Sequence, residues 1–280
     1  MGKFDGVLLA SDFDNTLLNT ERPRRTGCSI PPISQRNVEA LHYFMDNGGR
    51  FAVATGRALP AFRMFADQVP MNAPAVVCNG AALYDFQTEA YLETMELPEA
   101  VREQGQAVLD RFPAVAVEAY HLDNVIHAVR PNAFTRQHQH VTHAEVAATE
   151  SLLDVPMPLV KIMFEGDPLD LQPLWGYVRQ QPWAADYEIF FSDRSLLEVT
   201  RKGASKGAMV ARLAERLGIS KEHVYCAGDE NNDISMLTMA AQGFAPANCV
   251  ENVKSCGATI VADCDHDTLA EIVAILDKRY

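Results

Sequence analysis

The first 80 residues alternate short apolar runs with segments whose apolar residues keep helical spacing. This alternation is typical of βαβ units, which build a parallel sheet. Helix ends are indicated by Ser34, a residue type that caps helix N-termini, and by the pair Gly48-Gly49, which stops a helix. The elements predicted here are strands at 7–10, 50–55 and 75–78, a helix between Ser34 and Gly48, and a helix at 58–69.

The same rhythm returns at the end of the chain, where Met209, Val210, Leu213 and Leu217 share one face of a predicted helix. The elements predicted there are helices at 206–217, 233–239 and 266–278 and strands at 223–228 and 258–262. We therefore predict an α/β fold. Its doubly wound, Rossmann-like core of parallel strands is formed by residues 1–85 and 194–280.

The middle of the chain has a different pattern. Paired strand signals replace the alternation, and Asp123-Asn124 supplies a hairpin turn between the first two of them. We predict that residues 86–193 form an inserted α+β domain with antiparallel pairing. Its predicted strands are 115–121 paired with 125–130 and 159–165 paired with 187–192, and its predicted helices are 99–112 and 169–181.

Composition limits the class of partner. Of the 280 residues 48% are hydrophobic, and 37 acidic against 24 basic residues give a formal net charge of −13. A chain of this charge repels nucleic acid and acidic membranes, so we expect neither as a partner. A small phosphorylated metabolite remains compatible with the charge where the field is locally reversed in sign. The sequence does not indicate an oligomeric state.

The cysteines and the first residues of the chain indicate in which cellular compartment the protein is expected. The six cysteines include no C-x-x-C pair, so we expect reduced, buried thiols. No charged-then-apolar leader opens the chain, and its apolar runs fall short of the roughly 20 residues that span a bilayer. We expect a soluble cytoplasmic protein.

Polar residues follow several predicted strands of the core or open its helices. They are Asp12 and Asp14 after the first strand, Thr55 after the second, Lys206 at the start of a helix, and Asp229 and Asp233 in "GDENND" after strand 223–228. In a parallel α/β sheet, ligands bind outside the carboxyl ends of the strands. We therefore expect these residues to meet at one edge of the sheet, although they are far apart in sequence.

The acids of this group require a cation. Carboxylates about 4 Å apart repel by roughly 4 kcal/mol per pair at an effective dielectric of about 20. Oxygen ligands select a hard ion, and two or three carboxylates suit Mg²⁺, which keeps several waters and accepts a phosphate oxygen. Thr55, Gly56 and Arg57 precede a helix, so a hydroxyl and backbone N–H groups can hold phosphate oxygens, with Lys206 adding positive charge.

Four motifs occur in order along the core: "DFDNTL" from Asp12, "VATGR" ending at Arg57, "GASKG" around Lys206, and "GDENNDISML" from Gly228. In these motifs the sequence resembles the haloacid dehalogenase superfamily of phosphohydrolases. It is most similar to the Cof-like branch, which carries a large α/β cap of type C2B between the second and third motifs. "VVCNGAALYD", just before the insert, also resembles that branch.

The resemblance implies roles for individual residues. Asp12 is expected to be the nucleophile and Asp14 the general acid and base. The expected phosphate- or substrate-binding residues are Thr55, Gly56, Arg57, Asn79, Lys206 and Asn232. The expected metal ligands are Asp12, the Asp14 carbonyl, Asp229 and Asp233.

Together these features predict a Mg²⁺-dependent phosphomonoesterase that hydrolyses a small phosphorylated metabolite through an aspartyl-phosphate. A sugar phosphate or a phosphorylated cofactor is the expected substrate, and residues 86–193 are expected to select it. The acid at Asp14 favours turnover over a lasting phosphoenzyme. A phosphomutase of the same superfamily, or a catalytically silent binding or regulatory protein on this scaffold, remains an alternative.

Two departures from the branch stand in the sequence. Asn15 replaces its usual Gly, which we expect to alter only a turn, and "FAPANCVEN" replaces its Met-Gly-Asn-Ala loop while retaining Asn248.

The insert holds one further candidate, because His138, His140 and His143 in "RQHQHVTH" could ligate a metal. No cysteine or further paired histidine accompanies them, which favours a solvated segment instead. Trp175 and Trp183 are expected to pack within the insert.

Overall fold

The computed structural model describes residues 2–26, 28–142 and 146–280. The strands are β1 Leu8–Ser11, β2 Arg50–Val53, β3 Ala75–Val77, β4 Ala82–Asp85, β5 Ala90–Thr94, β6 Ala116–His121, β7 Ile126–Val129, β8 Val146–Thr149, β9 Leu159–Glu165, β10 Tyr187–Asp193, β11 Leu196–Arg201, β12 Val224–Ala227, β13 Gln242–Pro246 and β14 Thr259–Val261. The α-helices are α1 Glu21–Thr26, α2 Gln35–Asp46, α3 Leu59–Ala66, α4 Val101–Arg111, α5 Ala133–Thr142, α6 Pro168–Val178, α7 Lys206–Arg216, α8 Ile234–Met239, α9 Glu251–Lys254 and α10 Thr268–Arg279.

The chain forms two compact units. The core unit comprises Met1–Arg57, Arg63–Glu93 and Ser205–Tyr280, and the insert unit comprises Ala58–Phe62 and Thr94–Ala204. The main segment of the insert unit, Thr94–Ala204, begins and ends later in the chain than the predicted segment 86–193, and the short segment Ala58–Phe62 is grouped with it. The substrate-selecting role of the insert stays a prediction.

The core unit is built on a five-stranded sheet in the order β14-β13-β12-β1-β2, and all its strands are parallel. The predicted α/β, doubly wound fold is confirmed. Strand β12 lies in the middle and β1 lies between β12 and β2, and every residue of β1 and β12 is buried. The strands that follow β1 in the chain lie on opposite sides of it, with β2 on one side and β12, β13 and β14 on the other. The strand order therefore reverses between β1 and β12, and at such a switch point the carboxyl ends of two strands open a crevice.

Helices cover the sheet in pairs. α2 packs against α10, and α7 packs against α8. Ser34 caps α2 as predicted, since its hydroxyl accepts the Asn37 N–H, and Ser205 caps α7 by accepting the Ala208 N–H. The cap at Ser205 fixes where α7 begins and therefore where Lys206 stands.

Three strands of the core unit were not predicted. β3, β4 and β5 form a separate three-stranded sheet, in which β4 and β5 follow the predicted third strand directly. β13 joins the parallel sheet between β12 and β14. Its sequence "QGFAP" is short and contains Gly and Pro, which weaken a strand signal.

The insert unit contains a six-stranded sheet in the order β10-β11-β9-β6-β7-β8. The predicted hairpin of β6 and β7 is confirmed. The predicted pairing of 159–165 with 187–192 is wrong, because β11 lies between β9 and β10 and pairs antiparallel with both. Strand β11 also explains why the insert unit extends beyond residue 193.

One face of this sheet carries the hydrophobic core of the insert unit. Alternate residues of the central strands, among them Val117, Ile162 and Val199, cluster with apolar residues of α4 and α6. Trp175 and Trp183 pack against this cluster, as expected. The opposite face presents the other alternate residues, which include several charged ones.

All six cysteines are free, but only Cys78, Cys226 and Cys249 are buried. The expectation of buried thiols is therefore wrong for Cys28, which is exposed, and for Cys256 and Cys264, which are partly exposed. Among the described residues, no helix has both the length and the apolar character needed to cross a membrane.

Replacing Gly207 with Ala should destabilise the core unit. A Cβ at Gly207 would lie 2.3 Å from the Ser235 backbone oxygen, so α7 would have to move away from α8. Such overpacking costs about 1–3 kcal/mol. The matched control is Gly176→Ala in α6, where a Cβ meets no described atom within 4 Å and should stabilise the helix by about 0.5–1 kcal/mol. Urea denaturation followed by circular dichroism measures both, and equal effects would contradict the close approach.

Candidate active site

The sheet brings the predicted acids together at the carboxyl ends of β1 and β12. Asp12 directly follows β1, and its N–H donates to the Ala227 carbonyl at the end of β12 at 2.8 Å. Asp229 stands two residues beyond β12. Oxygens of Asp12, Asp229 and Asp233 lie within 4.8 Å of one another, and all three residues are buried.

Lys206 holds two of these carboxylates. Its side chain is 1% exposed, and its ammonium donates to Asp12 Oδ1 at 2.6 Å and to Asp233 Oδ1 at 2.6 Å. Burial acts to lower the pKa of Lys206, but the attraction of Asp12 and Asp233 prevails and the pKa lies above its ordinary value. The ammonium is therefore a permanent positive charge inside the site.

Asp233 also shapes the loop after β12. Its second oxygen accepts the backbone N–H groups of Asp229 at 2.9 Å and Glu230 at 3.0 Å. Gly228 makes room for this carboxylate, since a Cβ there would lie 2.4 Å from the Cβ of Asp233. Because both oxygens of Asp233 are already engaged, this residue positions Lys206 and the loop.

Lys206 offsets the negative charge of Asp12 and Asp229 only in part. Burial is the main reason that the pKa of Asp12 rises to about 7, with repulsion by Asp233 and Asp14 adding to it and Lys206 opposing it. Burial, followed by repulsion from Asp12 and Asp233, holds the pKa of Asp229 well above its ordinary value. The Thr16 hydroxyl, which donates to Asp229 Oδ1 at 2.8 Å, offsets this only in part.

These residues fit a divalent cation. Three carboxylates and one ammonium leave two negative charges when all are ionised, and the donor atoms nearest one another are all oxygens. A hard divalent ion neutralises that charge with the ligand type it prefers. The structure thus contains an aspartate cluster that can bind a metal.

Asp14 makes a different contact from Asp12. Arg57 grips it with two hydrogen bonds, from Nε to Oδ2 at 2.9 Å and from Nη2 to Oδ1 at 2.7 Å. The guanidinium also lies over the rings of Phe13 and Phe65. Burial acts to raise the pKa of Asp14, but Arg57 outweighs it, so the pKa lies below its ordinary value.

The remaining predicted binding residues form a second group near Thr55. Thr55 is fully buried after β2, its hydroxyl accepts the Arg57 N–H at 3.1 Å, and its carbonyl accepts the Asn79 N–H. Gly56 is needed here, since a Cβ would lie 3.0 Å from Asn79 Oδ1. Asn232 donates its side-chain amide to that same oxygen at 2.8 Å and so joins this group to the loop after β12.

The two departures from the branch meet each other, because Asn15 contacts Asn248, the residue retained in the replaced loop. Asn15 has a φ of 56°, a left-handed conformation that Gly adopts freely and Asn tolerates better than most residues. Asn248 donates to the Asn15 carbonyl at 2.8 Å and accepts the Cys264 N–H at 2.9 Å. The replaced loop is therefore tied to the turn that follows Asp14.

Sequence reasoning missed two partners in this site. No role was predicted for Thr16, whose hydroxyl donates to Asp229. Its place inside "DFDNTL", beside Asp12 and Asp14, was the signal that could have indicated a hydrogen bond to an acidic side chain. The pairing of Arg57 with Asp14 was also missed, because Arg57 was assigned to phosphate alone.

Known proteins match this chain along most of its length. The family described as haloacid dehalogenase-like hydrolase matches residues 9–273. Pyridoxal phosphate phosphatase YbhA of Escherichia coli (strain K12) is 26% identical over 95% of this chain and 97% of that protein. 5-amino-6-(5-phospho-D-ribitylamino)uracil phosphatase YitU of Bacillus subtilis (strain 168) is 22% identical over 95% and 96%. A solved haloacid dehalogenase-like hydrolase from Bacteroides thetaiotaomicron has a TM-score of 0.83 at 23% identity, covering 96% of this chain and 99% of that one.

The chain belongs to the haloacid dehalogenase-like hydrolases, since the family match spans nearly its whole length. Its predicted place among the Cof-like phosphatases of that superfamily is confirmed.

Mg²⁺ should raise the melting temperature of the chelator-treated protein, and more so at pH 8 than at pH 6. Asp12 has a pKa of about 7 in the fold against 3.8 ordinarily, so at pH 6 the folded protein holds a proton that the ion must displace. The metal-free protein itself gains stability from this group as the pH falls through 7. At a hundred times the Kd, bound ion adds about 2.7 kcal/mol.

Differential scanning calorimetry measures the shift. Asp229→Asn should remove it, whereas Asp67→Asn, at an exposed position in the same unit, should retain it. A shift that is larger at pH 6, or that survives in Asp229→Asn, would contradict the assignment of the ion to this cluster.

Proposed function

We propose that the protein is a Mg²⁺-dependent phosphomonoesterase that hydrolyses a small phosphorylated metabolite through an aspartyl-phosphate on Asp12. The observation that carries the proposal is the ammonium of Lys206 at 2.6 Å from both Asp12 and Asp233, beside Asp229. The fixed positive charge limits the rise in the pKa of Asp12 to about 7, so the carboxylate that attacks phosphorus is present at neutral pH and above. Meanwhile the same charge attracts a phosphate into a chain of net charge −13.

Asp12 is the proposed nucleophile. Its carboxylate attacks phosphorus in line with the leaving oxygen, so that one hard displacement is divided into two easier ones. Lys206 orients one oxygen of Asp12 and leaves the other for bonding to phosphorus or to the metal. Burial of Asp12 removes bulk water from around the attacking carboxylate.

Asp14 is the proposed general acid and base. It protonates the leaving alkoxide in the first step and takes a proton from the attacking water in the second. The ion pair with Arg57 holds Asp14 in its ionised form, as the second step requires. The first step requires a protonated Asp14, so we infer that the pair opens when a phosphate competes for the guanidinium.

Mg²⁺ is the proposed cofactor, with the Asp12 side chain, the Asp14 carbonyl and Asp229 as its expected ligands. When bound, it supplies positive charge that keeps these carboxylates ionised and withdraws charge from the phosphate. Asp233, whose oxygens both accept hydrogen bonds, is expected to act on the ion by positioning Lys206 and the Asp229 loop.

Phosphate oxygens are expected to bind Thr55, Gly56 and Lys206, with Asn79 and Asn232 holding the Thr55 group in place. The hydrogen bond between Asn232 and Asn79 supports this, because it links the phosphate-binding residues to the metal-binding loop. Arg57 is the one residue of the set with two proposed partners, Asp14 and the phosphate.

The proposed substrate is a small phosphorylated metabolite, such as a sugar phosphate or a phosphorylated cofactor. The names of relatives support this class, since one acts on pyridoxal phosphate and another on 5-amino-6-(5-phospho-D-ribitylamino)uracil. We propose that the insert unit selects the leaving group. A screen of phosphorylated metabolites with detection of free phosphate would identify it, and release of an isomer instead would indicate a mutase.

Asp12→Asn should lower turnover of p-nitrophenyl phosphate with Mg²⁺ by at least about a thousandfold, because an amide is not a nucleophile for phosphorus. The fold should persist, since Asn keeps the shape of Asp12. Turnover and melting temperature are measured on the same preparation, with Asp67→Asn as the matched control. Full activity in Asp12→Asn would exclude the proposed nucleophile, and an inactive wild type would favour a silent scaffold.

Asp14→Asn should slow turnover by about 100- to 10,000-fold and let the phosphorylated enzyme accumulate. The reason is that water loses its base while Asp12 can still react with an activated ester, whose leaving group needs no acid. Mass spectrometry of rapidly quenched protein detects the added phosphoryl group on the peptide that contains Asp12. Unchanged rates, or no phosphorylated protein with an activated ester, would remove the acid-base role from Asp14.

A further inference from the structure

The polar face of the insert sheet holds a second cluster of possible metal ligands, Glu118 on β6, Glu165 on β9 and His138 on α5. One ligand atom from each lies within 4.8 Å of the others. Both glutamates are 0% exposed, whereas the His138 side chain is 20% exposed. The expectation of a solvated histidine segment is therefore wrong for His138. It holds for the exposed His140, and His143 lies outside the described residues.

The register of the strands produces this cluster. Glu118 pairs with Met163 across β6 and β9, which makes Glu165 its diagonal neighbour on the same face. His138 reaches both from α5, with Nδ1 at 2.9 Å from Glu118 Oε2 and 3.4 Å from Glu165 Oε1. Two strands and a helix thus each contribute one side chain.

Glu165 is the unexplained group of the cluster. Among the described residues, neither of its carboxylate oxygens has a hydrogen-bond partner. The Thr135 hydroxyl lies beside Glu165 and acts to lower its pKa, and it also lies 3.3 Å from Asn132 Oδ1, to which it can donate instead. Burial, followed by repulsion from Glu118, outweighs it and raises the pKa of Glu165 to about 7. This buried group is therefore neutralised by a proton below pH 7 and requires a cation above it.

Glu118 is only partly satisfied. Its Oε2 accepts the Tyr120 hydroxyl at 2.7 Å, but no described residue donates to its Oε1. The nearby ammonium of Lys161 pairs with Glu198 at 3.2 Å and lies over the Tyr120 ring. Among the described residues, His138 is the basic side chain that forms an ion pair with both buried carboxylates, and the charge of Lys161 also acts on Glu165.

We propose that Glu118, His138 and Glu165 bind a divalent transition-metal ion, with Zn²⁺ as its reference member, at a site in the insert separate from the aspartate cluster of the core. Carboxylate and imidazole donors together suit this class of ion, and an imidazole disfavours Mg²⁺ and Ca²⁺. The ion neutralises the two carboxylates and takes up the free oxygens of Glu165.

The distances suit such an ion. Ligand atoms of a tetrahedral site with bonds of about 2.0–2.1 Å lie about 3.3–3.4 Å apart, and His138 Nδ1 already lies 3.4 Å from Glu165 Oε1. Its 2.9 Å contact with Glu118 Oε2 is a direct hydrogen bond, so this pair has to separate by about 0.4 Å, or Glu118 has to bind through its other oxygen, when the ion enters. Three protein ligands leave a fourth position for water, which the partial exposure of His138 makes accessible. The ion would fasten α5 to β6 and β9, so its role is to hold the insert sheet and this helix together.

Zn²⁺ binding to the full chain tests the proposal. The chain carries Asp229→Asn throughout, so that binding at the core cluster does not obscure the result. Chelator-treated protein is dialysed against Zn²⁺ at pH 8, and bound metal is counted by mass spectrometry of the ions. We expect one tightly held equivalent, which Glu165→Gln and His138→Gln should each lose. Each should weaken binding by more than the roughly 100-fold that loss of an outer hydrogen-bond partner costs.

His140→Gln is the matched control, since His140 is exposed on the same helix and should leave binding intact. Co²⁺ should give the visible absorption of a tetrahedral site in the parent and in this control alone. Glu165→Gln removes a charge and leaves the side-chain volume nearly unchanged. If the Glu165→Gln protein does not fold, the His138→Gln variant decides the outcome, because the side chain of His138 is partly exposed and its replacement disturbs the core less. The proposal is overturned if the parent binds no Zn²⁺, or if Glu165→Gln or a folded His138→Gln binds it as tightly as the parent does.

Discussion

The active-site half of the core depends on one buried ion-pair network, the ammonium of Lys206 between Asp12 and Asp233. A buried charge is tolerated only when it is paired and hydrogen-bonded, so this contact fixes three distant segments in one arrangement. Ser205 sets the start of α7, Gly207 lets α7 approach α8, and Asp233 ties the loop after β12. Neighbouring residues at the start of α7 and just before α8 therefore both pack the two helices together and form the candidate site.

Each unit, considered by itself, contains a buried cluster in which acidic side chains outnumber basic ones. In the core, three carboxylates surround one ammonium, and in the insert two carboxylates meet one imidazole. Folding has removed these groups from water, and the carboxylates outnumber the basic side chains that the described residues place in contact with them, which costs free energy in each place. A cation that binds the folded state at such a cluster offsets this cost and stabilises the folded state. The difference lies in the donors, because oxygens alone suit a hard ion and an added imidazole suits a softer one.

The fold of the core unit could be predicted from the sequence because its helices and strands are marked by local sequence signals. Helix caps, glycine stops and buried runs mark β1, α2 and α7, and the parallel topology then brings residues 12, 206 and 229 to one edge. Strand β11 could not be predicted in the same way. Its hairpin turn is Arg194-Ser195, which lacks the Gly or Asn that signals a tight turn, and only pairing with β9 shows that it belongs to the insert. The Glu118 cluster was also beyond prediction, since it depends on strand register and on a helix that the sequence did not indicate.

The grip of Arg57 on Asp14 constrains the order of catalytic events. Asp14 cannot be an acid while both of its oxygens accept from a guanidinium, because that contact stabilises the ionised form. Under the proposed mechanism, the ion pair must open before the leaving group is protonated and can close again once the alkoxide has gone. Arg57 is suited to both states, since its charge is stabilised by Asp14 and its flat face rests on Phe13 and Phe65. In that proposal the same arginine separates the acid step from the base step by changing which anion it binds.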